Sequence, residues 1–236
     1  MKNFAIAALA AITLPTASNA AGIAIISEIV DAPLPGGLPK FVEITNVGDA
    51  VIDMSSIHIG NFSNGSTNLG GDSTTALSGS LVPGDSYVVS YENGDSPGAG
   101  LFFDTYGFDP DFFDLGAFIN GDDVVAIFDG PATGDGTDAN IIDIYGVIGT
   151  DGTGEVWEYT DGFSFRKPGE VVPGGTFSDS QWTIGGANSL ETGDDVEELA
   201  LILANTSPGT HGAAVPEPAS VLLSLLGVGF ILRRRR

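Results

Sequence analysis

The sequence predicts an all-β chain, a β-sandwich with long loops, and three observations carry that expectation. Short apolar runs rich in β-branched and aromatic residues recur between Gly, Pro, Asn and Asp clusters, at residues 23–30, 41–46, 57–62, 87–91, 124–128, 141–147 and 163–166. None of them extends to helical length with a 3.6-residue period. The 42% hydrophobic content, with 14 Phe, offers enough apolar surface to offset the entropy of ordering the chain.

Taken in order, the chain opens on a secretory signal at residues 1–20. Lys2 supplies the positive start, residues 4–14 the apolar stretch, and Ser18-Asn19-Ala20 a small-x-small site for signal peptidase between Ala20 and Ala21. The body, residues 21–212, holds the seven strand candidates as a single domain. Long segments at 64–80, 93–101 and 102–118 separate some of them and read as loops, the places where binding concentrates. Near the end, residues 194–204 open on Asp194-Asp195 and carry Leu199, Leu201, Ile202 and Leu203, a pattern that suits a helix or an edge strand.

Residues 213–236 form a third unit: Val215-Pro216-Glu217-Pro218, an uncharged run at 219–232, then Arg233, Arg234, Arg235 and Arg236. Fourteen residues at ~1.5 Å each make ~21 Å of helix, short against a hydrocarbon core of ~30 Å. The run inserts as a single transmembrane helix if the arginines snorkel to the headgroups, and those charges place the C-terminus inside and the body outside.

The charge excludes several functions. Lys2 and the four terminal arginines leave with the two signals, so Lys40, Arg166 and Lys167 face 30 acids, a net charge of about −27 on the body. Such a surface attracts divalent cations and repels nucleic acid, whose phosphates require clustered Lys and Arg. The chain has no Cys, which excludes disulfides, thiol catalysis and zinc-thiolate clusters.

Candidate chemistry is sparse. The two histidines, His58 and His211, lie in no nucleophile or metal motif. Asp104, Asp109, Asp111 and Asp114 sit in an aromatic-rich segment, where a carboxylate pair would serve glycoside hydrolysis. The alternatives are solvated acids, or a carbohydrate-stacking surface made by Phe102, Phe103, Tyr106, Phe112 and Phe113. Hard oxygen ligands in a Gly-Asp loop suit calcium, and Asp129, Asp135, Asp138 and Asn140 are the candidate ligands. The spacing and closing Glu of an EF-hand are missing there, and an ordinary turn between Phe128 and Ile141 is the competing reading. Asn120-Gly121-Asp122-Asp123 reads as hairpin chemistry. Arg166 and Lys167 are either an anion contact or internal partners for acids such as Asp143 or Glu158.

The motif, apolar segment and terminal Arg cluster together resemble the PEP-CTERM sorting signal of Gram-negative bacteria. That resemblance implies cleavage near Pro216 to Pro218 by an exosortase, a membrane-embedded cysteine protease, after a transient stay in the inner membrane. It also implies delivery to the cell surface or extracellular matrix, alongside exopolysaccharide production. In the body, Ile26-Ser27-Glu28-Ile29, Phe41-Val42-Glu43-Ile44-Thr45-Asn46 and Ile52-Asp53-Met54-Ser55 leading to Ile57-His58-Ile59-Gly60 resemble the opening strands of a lamin-tail domain. Leu81-Val82-Pro83-Gly84 looks like its turn before a strand. Ile142-Asp143-Ile144-Tyr145-Gly146, Trp157-Glu158-Tyr159 and Gly162-Phe163-Ser164-Phe165 suit its closing half. This likeness implies an immunoglobulin-like β-sandwich that recognises or displays without catalysis.

The expectation is an exported, exosortase-sorted, non-enzymatic display or adhesion protein associated with exopolysaccharide or other matrix components. The alternative is a secreted polysaccharide hydrolase that uses loop carboxylates. Beyond calcium, no cofactor is expected.

Overall fold

The structure, a computed structural model, describes residues 21–70, 75–91, 97–113, 115–132, 140–170 and 174–211. Both predicted signals, 1–20 and 213–236, therefore lie outside the described residues.

Among the described residues, twelve strands and two α-helices follow one another along the chain. They are β1 Ala24–Leu34, β2 Leu38–Asn46, β3 Ile52–Asp53, β4 Ile57–Phe62, β5 Thr75–Ala76, β6 Ser80–Leu81 and β7 Ser86–Tyr91, then α1 Leu101–Tyr106. The second half supplies β8 Phe112–Phe113, β9 Val124–Asp129, β10 Ile141–Tyr145, β11 Gly162–Arg166, β12 Trp182–Ile184 and α2 Asp195–Asn205. A six-stranded sheet runs β12-β11-β1-β2-β7-β8 and a four-stranded sheet runs β10-β9-β4-β5, with β3 and β6 as a small separate ladder. The main core packs Ile26, Ile29, Val42 and Ile44 with Ile59, Phe62, Val125 and Ile127, residues of the two larger sheets. The architecture is an all-β sandwich.

The six-stranded sheet is covered on both faces. Its second apolar cluster joins Val30, Phe41, Val88 and Phe163 to Phe102 of α1 and Ile202 of α2. β1 and β2 are buried along almost their whole length. A strand with two buried faces has no solvent side to alternate with, so it reads as a continuous apolar run. The polar exceptions on β1 and β2 are therefore informative. Lys40 stands opposite Asp31 and forms a buried ion pair with it. Burial pushes the Asp31 carboxyl up to about 6, with the charge of Lys40 opposing.

α2 resolves the ambiguity at residues 194–204 in favour of a helix. Asp194 caps it, its carboxylate accepting from the N–H groups of Val196 (3.0 Å) and Glu197 (3.2 Å), which satisfies two donors that have no partner within the helix. Asp195, Glu197 and Glu198 in its first turn favour the same end of the helix dipole.

Two expectations are corrected. The segment 102–118 is not a plain loop: it contains α1, β8 and a 3-10 turn at Leu115–Ala117. Phe102 and Tyr106, one helical turn apart, lie tilted against each other with ring centroids 4.8 Å apart and pack edge-on against Phe41 at 5.7 and 5.8 Å, and Gly107 ends the helix at φ 78°. The Asn120-Gly121-Asp122-Asp123 stretch does not join two paired strands, since it follows the 3-10 turn and leads into β9. Gly121 holds φ 87°, and a Cβ there would lie 2.0 Å from Thr160 Cα, so backbone approach as well as turn geometry requires glycine.

Candidate functional site

The end of the body that leads into the sorting signal is the best-built polar site. After α2 the chain crosses back to the six-stranded sheet, where residues 206–210 are held by side chains of several elements. The Tyr106 hydroxyl of α1 shares a 2.8 Å hydrogen bond with the Thr206 hydroxyl. Ser207 N–H donates to Glu28 of β1, and Gly209 N–H donates to Glu43 of β2. Thr210 closes a turn onto the Ser207 carbonyl at 2.8 Å.

Glu28 and Glu43 were hidden in plain view, as the lone acids inside the β-branched motifs Ile26-Ser27-Glu28-Ile29 and Phe41-Val42-Glu43-Ile44. A carboxylate at a strand position that should be apolar was the available signal. A β-bulge at Ser27 shifts the register so that Glu28 pairs directly with Glu43. Burial raises both carboxyls. For Glu28, which stands well above the usual carboxylate range, the Glu43 charge adds to burial and the Ser207 N–H opposes it.

The opposite end of the body carries the predicted signal-peptidase site. Ala20 lies outside the described residues. Ala21 N–H donates to Asp49 Oδ1 at 2.7 Å, and Asp49 N–H donates to the Ala21 carbonyl at 3.0 Å. Beside it lies a cavity of about 460 Å³ lined by Ile23, Val51, Ile52, Asp53, Asp129 and others.

Two of the four aspartates of the aromatic segment serve separate backbone groups. Asp109 accepts from Gly98 N–H at 2.7 Å, and Asp111 accepts from Val88 N–H at 2.8 Å. Asp104 is exposed on α1. Asp114 lies outside the described residues. The proposed stacking surface loses Phe102, which is 1% exposed and belongs to the core beneath α1. Phe103, Tyr106, Phe112 and Phe113 are half-buried.

Of the candidate calcium ligands, Asp135 and Asp138 lie outside the described residues. Asp129 ends β9 and is exposed. Asn140 donates through its side-chain amide to the carbonyls of Asp129 (3.0 Å) and Pro131 (3.2 Å), which pins the two ends of the segment together in the manner of a turn. Among the described residues, no three His, Asp or Glu side chains converge on a point that could hold a metal.

Arg166 is an internal partner. It is 1% exposed and pairs with Asp143, donates through Nε to the Ile26 carbonyl at 2.8 Å, and lies 4.5 Å over the Trp182 ring. Glu158 instead accepts from Gly154 N–H at 2.7 Å. Lys167 is exposed and donates to the Ser180 carbonyl at 2.8 Å. His58 is buried on β4, opposite Ala76 and Phe128. His211 is half-buried, and burial together with the Arg166 charge lowers its pKa.

Residues 214–236 match the PEP-CTERM protein-sorting motif. The match contains Val215, Pro216, Glu217, Pro218 and the four terminal arginines, and it covers none of the body. Neither comparison with curated proteins nor comparison with solved structures gives a match. The motif marks an exported protein of Gram-negative bacteria, processed by exosortase through a C-terminal, membrane-anchored sorting step. Among the described residues no helix is long and apolar enough to cross a membrane; the run at 219–232 lies outside them.

Proposed function

We propose that the chain is a non-catalytic display or adhesion module which exosortase delivers to the cell surface or extracellular matrix, where it associates with exopolysaccharide. The observation that carries this reading is the sorting motif at 214–236, directly following a body whose last described residues are tied to its central sheet. From Thr210 to Pro216 six residues span at most about 20 Å, so cleavage takes place close to the folded body.

The lamin-tail likeness supports a display role, and its opening motifs contribute residues to β1, β2, β3 and β4 of the sandwich. An immunoglobulin-like form of the sandwich belongs to the same reading. The non-enzymatic role is supported by how the candidate acids are used: Asp109 and Asp111 each serve a separate backbone N–H. A glycosidase would require two carboxyls flanking one scissile bond.

Calcium has a weaker place here. The field of about −27 on the body gives Ca²⁺ a bridging role between the protein and an acidic glycan, whereas a neutral glycan would meet the half-buried aromatics.

The test is co-sedimentation of the purified, processed protein with the matrix of its own producer, with reducing ends assayed in parallel. Association without glycan turnover is the expected result. Turnover lost in Asp104→Asn or Asp114→Asn while the fold persists would replace this reading with the hydrolase.

A further inference from the structure

Two carboxyl groups without a cation lie beneath the exit of the chain. Glu28 is 2% and Glu43 0% exposed, and they face each other across neighbouring strands, where Cβ atoms stand about 4.5 to 5.5 Å apart. Among the described residues the ion pairs are Lys40 with Asp31 and Arg166 with Asp143, and neither includes these glutamates. Their partners are neutral donors. Ser207 N–H reaches both oxygens of Glu28, at 3.0 and 3.2 Å, and Gly209 N–H reaches Glu43 Oε2 at 2.6 Å. The Ser27 hydroxyl donates to Glu43 Oε1, and Thr45 links Ser27 (2.8 Å) to Ser86 of β7 (2.7 Å).

Among the described residues, the other elements around the pair add no compensating charge. α1 contributes the Tyr106 hydroxyl, held by Thr206. β11 places Phe165 opposite Glu28. Glu198 of α2 is occupied by the N–H groups of Thr192 and Gly193 at 3.0 and 2.8 Å. Arg166 is committed to Asp143, Gln181 and the Ile26 carbonyl, and His211 lies within its field. Two ionised carboxylates side by side in so dry a place repel each other, and the usual outcome is one shared proton.

We propose that Glu28 and Glu43 form a carboxyl clasp that docks residues 206–210 on the sheet while the pair holds a proton, and releases them when both groups ionise. Burial, aided for Glu28 by the opposing glutamate, sets the direction. An acid raised in the folded state stabilises it fully below the ordinary glutamate range and loses that contribution as pH rises through the raised value. Release frees about five residues, some 15 Å of extra reach, between the body and whatever follows. That this reach changes access to the sorting motif rests on the processing reading above; the clasp itself does not.

The experiment is amide hydrogen exchange on the full-length chain in detergent, corrected for intrinsic rates, between about pH 5 and pH 9. The Ser207 and Gly209 amides should lose protection by up to about tenfold per pH unit for one proton, while the Val42 and Ile44 amides of β2 keep theirs. Glu28→Gln and Glu43→Gln retain an acceptor that cannot ionise, so docking should persist to high pH in each. Wild-type protection that does not change with pH overturns the clasp, as does an unaltered pH profile in both variants. Should the variants not fold, the wild-type carboxyl resonances decide. One glutamate titrating above the ordinary range supports the clasp, and both titrating near 4.3 overturns it.

Discussion

Arg166 on β11 and Asp143 on β10 form a buried ion pair that joins the six-stranded sheet to the four-stranded one. Asp143 also accepts from Ile26 N–H at 2.8 Å, so one carboxylate ties β10 to both β1 and β11. Burial pushes Asp143 up to about 6 and Arg166 down, and their mutual attraction opposes both shifts. The pair thus holds the sheets in register at a desolvation cost that only its partners offset.

Arg166→Met should destabilise the body by about 3 to 5 kcal/mol, because it leaves Asp143 buried without a cation. The Arg166→Met, Asp143→Leu double variant should recover much of that loss. Urea denaturation of the wild type, the Arg166→Met and Asp143→Leu single variants and the double variant checks both statements; a double variant as unstable as the sum of its singles would show that the pair is not coupled.

The pH profile of stability follows from the buried acids. Burial raises Asp31, Asp123 and Asp143 to about 6 from 3.8. Each contributes stability that is complete below 3.8 and is lost as pH rises through about 6. His211 works the other way, since its lowered pKa removes stability as pH falls through the ordinary histidine range. Three aspartates outweigh one half-buried histidine. Thermal melts at constant ionic strength should therefore give a higher Tm at pH 5 than at pH 8, and a Tm that rises between those values would contradict the account.

Asn140 bears on the calcium question. Its amide already spans the ends of the 129–140 segment, so Asn140→Ala should lower stability by about 1 kcal/mol per lost hydrogen bond. Calcium should then raise Tm no more than NaCl at equal ionic strength. A larger rise in calcium, abolished by Asp135→Asn or Asp138→Asn, would instead establish a metal site there.

The strands were legible wherever an apolar run had turn residues on both sides: 57–62 is β4, and 124–128 falls one residue short of β9. The two-residue ladders β3, β5, β6 and β8 are too short for any period to register. α1 was missed because its acids and glycines suggested a loop, although Phe102 and Tyr106 at i and i+4, followed by Gly107, formed the helical signature. The helical cover over the six-stranded sheet was equally invisible, since it depends on which buried strands have two dry faces. The sequence offered Asp143 and Glu158 alike as internal partners for Arg166, beside an anion contact, and the structure selects Asp143. Glu28 and Glu43 were not legible as a pair, because nothing in a linear motif shows that two strands, a bulge and a distant segment meet.

The intact mass of the protein recovered from the surface of its producer tests the central claim most directly. Processing at both ends predicts a species that begins at Ala21 and ends near Pro216, without the apolar run or Arg233 to Arg236. A strain lacking exosortase should retain the tail. Recovery of a surface species still carrying the four arginines, in a strain with active exosortase, would contradict the account.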